Sequence, residues 1–136
     1  MKLTQEIVDR IAAQARAEAP NEACGYLAGC EDRARLVLPM RNVDASPEHY
    51  SLDPKEQFAA VKAARAAGLD LIAVYHSHPQ TPARMSQEDI RLASDPGVVY
   101  LIYSLAHETL TGFRVSTDKV VTEVPVEVVA AGGSDG

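Results

Sequence analysis

The chain has 136 residues, 46% of them hydrophobic and 24% charged, the size and make-up of one soluble globular domain. That excludes global disorder, a fibrous repeat and a disulfide-stapled miniprotein. With 19 acids against 13 bases the formal net charge is −6, a poor match for a phosphate backbone, so no nucleic-acid partner is expected.

No apolar run approaches the roughly 18 residues that span a bilayer. Glu6, Asp9 and Arg10 interrupt what would have to be a signal-peptide core. The expectation is a cytoplasmic protein without a membrane partner. In that reducing setting Cys24 and Cys30, the two cysteines of the chain, read as small buried hydrophobes rather than a disulfide, and two thiols alone are too few for a structural zinc site.

The first element is a helix. Thr4 or a neighbour can cap it, Leu3, Ile7, Ile11 and Ala15 recur at four-residue spacing, and Pro20 forbids continuation. Ala23 to Cys30 is a run of small and apolar residues that reads as a tightly packed strand. Glu31 and Asp32 make a turn, and Ala34 to Met40 is the hairpin partner. Residues 41–52 form a polar connection.

A second helix follows, with Asp53 as N-cap, Pro54 at the first helical position and Glu56 in a capping-box-like place. Phe58, Val61 and several alanines supply its apolar stripe, and Gly68 stops it. Leu69 to Tyr75 is nearly continuously apolar, as in a strand covered on both faces. After a loop at 79–85, Ser86 to Ala93 reads as a short helix and Asp95-Pro96-Gly97 as a turn. Val98–Ser104, Gly112–Ser116 and Val120–Val128 read as strands. The domain therefore spans 1–128 and is of the mixed α/β class, with 129–136 as a flexible tail.

The chemistry concentrates in Tyr75-His76-Ser77-His78-Pro79. Side chains two apart on a strand share a face, so His76 and His78 stand side by side at the strand's C-terminal end, where α/β sheets collect ligands. Such a pair serves either a metal or packing. Asp89, on the first turn of the next helix, adds a carboxylate, and two imidazoles with one carboxylate fill three positions of a tetrahedral zinc site and leave the fourth for water. Asp89 equally suits a helix N-terminus capped by Ser86. Glu22 is the candidate base. A lone loop glutamate is otherwise a solvated surface residue. His49 and His107 read as surface or peripheral histidines.

Together, Glu22, His76-Ser77-His78-Pro79 and Ser86-Gln87-Glu88-Asp89, with ten residues between His78 and Asp89, resemble the motif of the JAMM/MPN+ zinc metalloproteases. Pro20-Asn21-Glu22-Ala23-Cys24-Gly25-Tyr26-Leu27-Ala28-Gly29 is similar to the context of the small prokaryotic members. The resemblance implies a cytidine-deaminase-like fold, with helices flanking a central curved mixed sheet. It also implies one zinc ion per chain on His76, His78 and Asp89, Glu22 activating its water, and Ser86 stabilising the tetrahedral intermediate. A metal-bound water near neutral pKa, a carboxylate to move its proton and a hydroxyl for the oxyanion form a coherent amide hydrolase.

Relatives of this kind cleave after the Gly-Gly end of ubiquitin-like or sulfur-carrier proteins. The stretch between the short helix and Asp95 is too short for the insertion of the eukaryotic deubiquitinating members, so a small ubiquitin-fold partner is the expected substrate. A non-catalytic MPN-type scaffold would show decay of the metal set, and all five positions are intact. A deaminase would need a Cys-x-x-Cys pair, which the chain lacks.

Overall fold

In the computed structural model, which describes residues 1–131, eleven elements follow in the order β1 (Lys2–Thr4), α1 (Gln5–Glu18), β2 (Cys24–Cys30), β3 (Arg33–Met40), α2 (Pro54–Ala66), β4 (Asp70–His78), α3 (Gln87–Leu92), β5 (Val99–Ser104), β6 (Thr109–Val115), β7 (Val121–Val124) and β8 (Glu127–Val129). The strands form one mixed sheet in the order β7-β6-β5-β4-β2-β3-β1-β8. β4 runs parallel to β5 and antiparallel to β2. Bulges at Ala28/Gly29 and Leu27/Ala28 in the two pairings of β2 bend the centre of the sheet. This is the α/β architecture expected.

α1 starts where Thr4 Oγ1 accepts from the Ile7 amide, and its apolar face (Ile7, Ile11, Ala12, Ala15) packs on Leu27, Val37, Ala73, Tyr75 and Leu101. Strand alternation turns Val74, His76 and His78 to the opposite face from Ala73 and Tyr75. α2 lies on that second side, where Gln57 Nε2 donates to the Tyr26 hydroxyl. A smaller cluster of Ala93, Tyr100 and Val115 closes the same side, with Ile90 and Met85 packed on it. Gly25 permits this layering: a Cβ there would meet the Tyr75 hydroxyl at 2.5 Å and the Leu38 carbonyl oxygen at 2.6 Å. Gly68, at φ +72°, ends α2 as expected.

Several details depart from the sequence reading. β1 is a three-residue strand inside what read as the approach to a helix, paired in parallel with β3 and β8. The expected strand 120–128 is two strands, because Pro125 has no amide to donate and β8 crosses to the far edge beside β1. Glu56 closes no capping box. Its carboxylate accepts from the Arg41 amide instead. The buried face of α2 is Ala60 and Ala64, while Phe58 is 65% exposed beneath the Lys62 ammonium. Cys24 is buried but Cys30 is exposed, because it ends β2 at the turn. The two thiols therefore do not share the buried reading. Of the expected tail 129–136, Val129 closes β8 and residues 132–136 lie outside the described residues. No described helix is long and apolar enough to cross a membrane.

A candidate metal centre at the end of strand β4

β4 is hydrogen-bonded on both sides, by β2 and by β5, so its C-terminal residues are held by the middle of the sheet. His76, Ser77 and His78 are all buried there. His76 Nε2 lies 3.2 Å from His78 Nε2. From across the cleft Asp89 brings Oδ1 to 3.3 Å from His76 Nε2 and Oδ2 to 3.1 Å from His78 Nε2.

These separations test the fit to a metal. Ligand atoms roughly 2.0–2.1 Å from a tetrahedral zinc stand roughly 3.3–3.4 Å from one another; the two imidazole nitrogens are near that separation, and each has one oxygen of Asp89 at a similar distance. Among the described residues, this is the one group of His, Cys, Asp and Glu side chains close enough to share an ion. The His78 Nδ1 pairs with the Pro82 carbonyl at 2.9 Å, which directs its Nε2 into the cluster. The His76 Nδ1 is buried without a hydrogen-bond partner, and one face of the ring is covered by Tyr50, centroids 4.7 Å apart and planes at 25°.

Asp89 reconciles its two readings. It is N3 of α3 in a full capping box: the Ser86 hydroxyl accepts from the Asp89 amide at 3.0 Å, and Asp89 Oδ2 accepts from the Ser86 amide at 3.0 Å. The same carboxylate meets both imidazoles. Capping fixes the side chain, and fixing it aims its outer lone pairs at the histidines. Burial opposes charge on Asp89, but the two imidazoles and the Ser86 amide outweigh it and hold the carboxyl well below the usual range. Burial pulls His76 down, keeping it neutral as a ligand requires. For His78 burial is outweighed by Asp89 and the Pro82 carbonyl, and its pKa rises.

Glu22 is buried, not the solvated residue that a loop glutamate usually is. Its backbone is fixed: its amide donates to the Ser46 carbonyl, its carbonyl accepts from Asn42 Nδ2, and the next residue, Ala23, exchanges hydrogen bonds with the Ser77 amide and hydroxyl. Ser77, the residue between the two histidines, thus ties the Glu22 segment to the donor cluster. Burial pushes the Glu22 carboxyl up to about 8, with the charges of Asp89 and Glu88 adding to this and His78 opposing it. Oε1 is buried without a partner. A carboxyl that can hold or release a proton near neutral pH, beside a donor cluster, is suited to acid–base work.

A cleft of about 480 Å³ opens beside the cluster, walled by Tyr26, Tyr50, Val74, His76, Asp89 and Tyr100. His49 borders it, and the Asp44 carboxylate at 3.1 Å holds its Nδ1. His107 is exposed. Ser86 is exposed too, and its Oγ accepts the Asp89 amide, leaving its O–H free to donate. The sequence reading missed Ser77, Asn42 and Tyr50. Ser77 stood inside the motif as a spacer, and no sequence pattern distinguishes the other two within a polar connection.

Residues 4–116 match the family of prokaryotic homologs of the JAB domain. This chain is a member of that family. It is 40% identical over 130 residues to the CysO-cysteine peptidase of Mycobacterium tuberculosis strain H37Rv, a match covering 91% of this chain and 88% of that one. It is 42% identical over 112 residues to a desampylase of Haloferax volcanii, covering 76% and 80%. A JAB1/MPN domain protein from Archaeoglobus fulgidus, at 20% identity, shares the fold with a TM-score of 0.66 over 96% of this chain and all of that one. The chain is thus a small prokaryotic-type JAMM/MPN+ protein.

Proposed function

We propose that this protein is a zinc-dependent metallopeptidase that hydrolyses the amide bond after the Gly-Gly C-terminus of a ubiquitin-like or sulfur-carrier protein. The reading rests on one observation above all: two imidazoles and a carboxylate converge at separations close to those of zinc ligands, and the backbone next to the buried Glu22 is bonded to the same strand through Ala23 and Ser77. His76, His78 and Asp89 hold one zinc ion per chain. Zinc bound there supplies an acidified water and a Lewis acid for the carbonyl. Glu22 takes the proton of the attacking water as its oxygen bonds to the carbonyl carbon, and returns a proton to the nitrogen as the C–N bond breaks. The Ser86 hydroxyl donates to the oxygen that gains charge. The products are a C-terminal glycine carboxylate and a free amine.

The names of the two curated relatives support a substrate that joins a small carrier or modifier protein to an amine. The catalytic domain is residues 1–128, acting in the cytoplasm on a folded protein partner and on neither nucleic acid nor membrane. The connection between α3 (Gln87–Leu92) and β5 (Val99–Ser104) is short and offers little surface with which to grip a peptide, so much of the binding energy must come from a folded body docking away from the scissile amide.

The test incubates zinc-loaded protein with a Gly-Gly-linked sulfur-carrier fusion, with the same tail as a free peptide, and with di-ubiquitin. Cleavage of the folded fusion well above the other two is the expected result. Turnover of the free peptide as efficiently as the fusion would make the protein a general peptidase.

A further inference from the structure

The two histidines of the cluster are oriented by different means. His78 has the usual arrangement for a metal-binding imidazole, one ring nitrogen on a backbone carbonyl and the other facing the donors. His76 has no hydrogen bond on Nδ1. What lies against it is the ring of Tyr50, nearly parallel, in an offset-compatible contact. Nothing in the sequence pattern or in the family motif assigns Tyr50 a role.

Tyr50 is delivered by a segment with neither helix nor regular strand, and Asn42 organises it. Asn42 is buried and closes an isolated bridge with Leu52. Its Nδ2 donates to the His49 carbonyl at 3.0 Å and its Oδ1 accepts from the Ser51 amide at 3.2 Å, so one side chain grips the backbone on both sides of Tyr50. The same Nδ2 donates to the Glu22 carbonyl at 3.1 Å, and Oδ1 accepts the Asp44 amide. A buried amide that uses both ends in this way specifies a single loop conformation.

We infer that Tyr50 is a positioning residue for His76. Its ring face blocks rotation of the imidazole and keeps Nε2 on Asp89 and His78, the task that the Pro82 carbonyl performs for His78, and Asn42 fixes the loop that holds the ring in place. This rests on the metal reading of the cluster and adds to it the means by which its more buried ligand is held. The relevant property is the aromatic face, not the hydroxyl.

The experiment measures zinc affinity by competition with a chelator for wild type, Tyr50→Phe, Tyr50→Leu and Asn42→Ser. It also measures the melting temperature of each metal-free protein. Loss of a group that orients a metal ligand typically weakens binding by about 10- to 100-fold. The expected result is such a loss in Tyr50→Leu and Asn42→Ser, with Tyr50→Phe close to wild type. Cobalt-loaded Tyr50→Leu should also show altered visible bands while cobalt-loaded Tyr50→Phe does not, a readout that general loosening of the fold would not single out. If wild type binds zinc and Tyr50→Leu binds it equally well, the inference is overturned while the metal reading stands. If Tyr50→Phe loses as much as Tyr50→Leu, the hydroxyl acts and the stacking argument is wrong. A lowered melting temperature in Tyr50→Leu with unchanged affinity also overturns it, by reducing Tyr50 to a packing residue. A wild type that takes up no zinc overturns the metal reading and this inference together.

Discussion

β4 and α3 face each other across the donor cluster and are held in opposite ways. β4 lies inside the sheet, bonded along its length by β2 and β5, and its last three residues are buried. α3 is six residues long and buries none of them. A helix this short is not stable alone. It stands because a capping box closes its first turn, because Lys119, from the turn between β6 and β7, donates to the Arg91 and Ala93 carbonyls at its end, and because Ile90 leans on the smaller core. Two of the three donors are thus built into the rigid middle of the fold, and the third rides on an element that opens at low cost. A site arranged in this way has a fixed half that sets the geometry and a lighter half that completes it.

Removing a donor from the fixed half should have the largest effect. His76→Ala or His78→Ala is expected to abolish zinc uptake, read by elemental analysis, and hydrolysis with it. Asp89→Ala should also lose tight binding, and in addition melt α3, because it removes one side of the capping box. Hydrogen exchange tests the comparison directly. In metal-free protein the α3 amides should exchange far faster than those of β4, and added zinc should slow α3 while leaving β4 unchanged. Equal protection in both elements would show that α3 is as firmly held as the sheet.

Glu22 belongs to the fixed half, and the proposed mechanism makes it a base and not a ligand. Glu22→Gln should therefore keep its zinc and its fold while hydrolysis falls by roughly 10²–10⁴. A variant that arrives without zinc, or that cleaves at the wild-type rate, removes Glu22 from the role of base.

The pattern of residues carried much of this site. The alternation across His76-Ser77-His78 places both imidazoles on one face whatever the neighbours do, and Ser86-x-x-Asp89 encodes its own capping box, so the helix start and the third donor were legible together. The strands of the central sheet announced themselves as apolar runs. What could not be read depends on contacts between distant segments. β1 and β8 pair only because two segments more than a hundred residues apart, Lys2–Thr4 and Glu127–Val129, meet at one edge of the sheet. Phe58 looked like core because helical periodicity cannot tell which side of α2 the sheet will cover. Glu22 became buried through its own bonds to Ser46 and Asn42 and those of its neighbour Ala23 to Ser77, none of these partners near it in sequence. Tyr50 reaches His76 through a loop whose shape is written in side-chain hydrogen bonds, not in periodicity.

A smaller effect should appear in the pH dependence of the metal-free protein. Folding lifts the Glu22 carboxyl to about 8, above its place in the unfolded chain near 4.5. The folded state keeps this proton through that interval while the unfolded state releases it, so stability falls as pH rises from about 4.5 to about 8. Glu22→Gln removes this one term. The melting temperature of the metal-free variant should gain on that of metal-free wild type as pH rises through the window, and level off above it. A constant difference between the two across that range would mean that the folded carboxyl is already ionised.

The smallest expected effect is also the sharpest probe of the lighter half. Lys119 meets α3 at its C-terminal end, at φ +64° in its turn, and caps the carbonyls of Arg91 and Ala93. Lys119→Met keeps the aliphatic stem and removes the donor. The loss of such a hydrogen bond is worth about 0.5–1.5 kcal/mol, which is about two- to tenfold in an equilibrium constant. If α3 is held as lightly as its burial implies, that loss should appear as two- to tenfold weaker zinc binding, since closing the site now includes ordering a looser helix. The same substitution should leave exchange rates in β4 unchanged. Should Lys119→Met lower the global melting temperature but not the zinc affinity, then α3 is part of the main cooperative unit, and the division of the site into a fixed and an adjustable half fails.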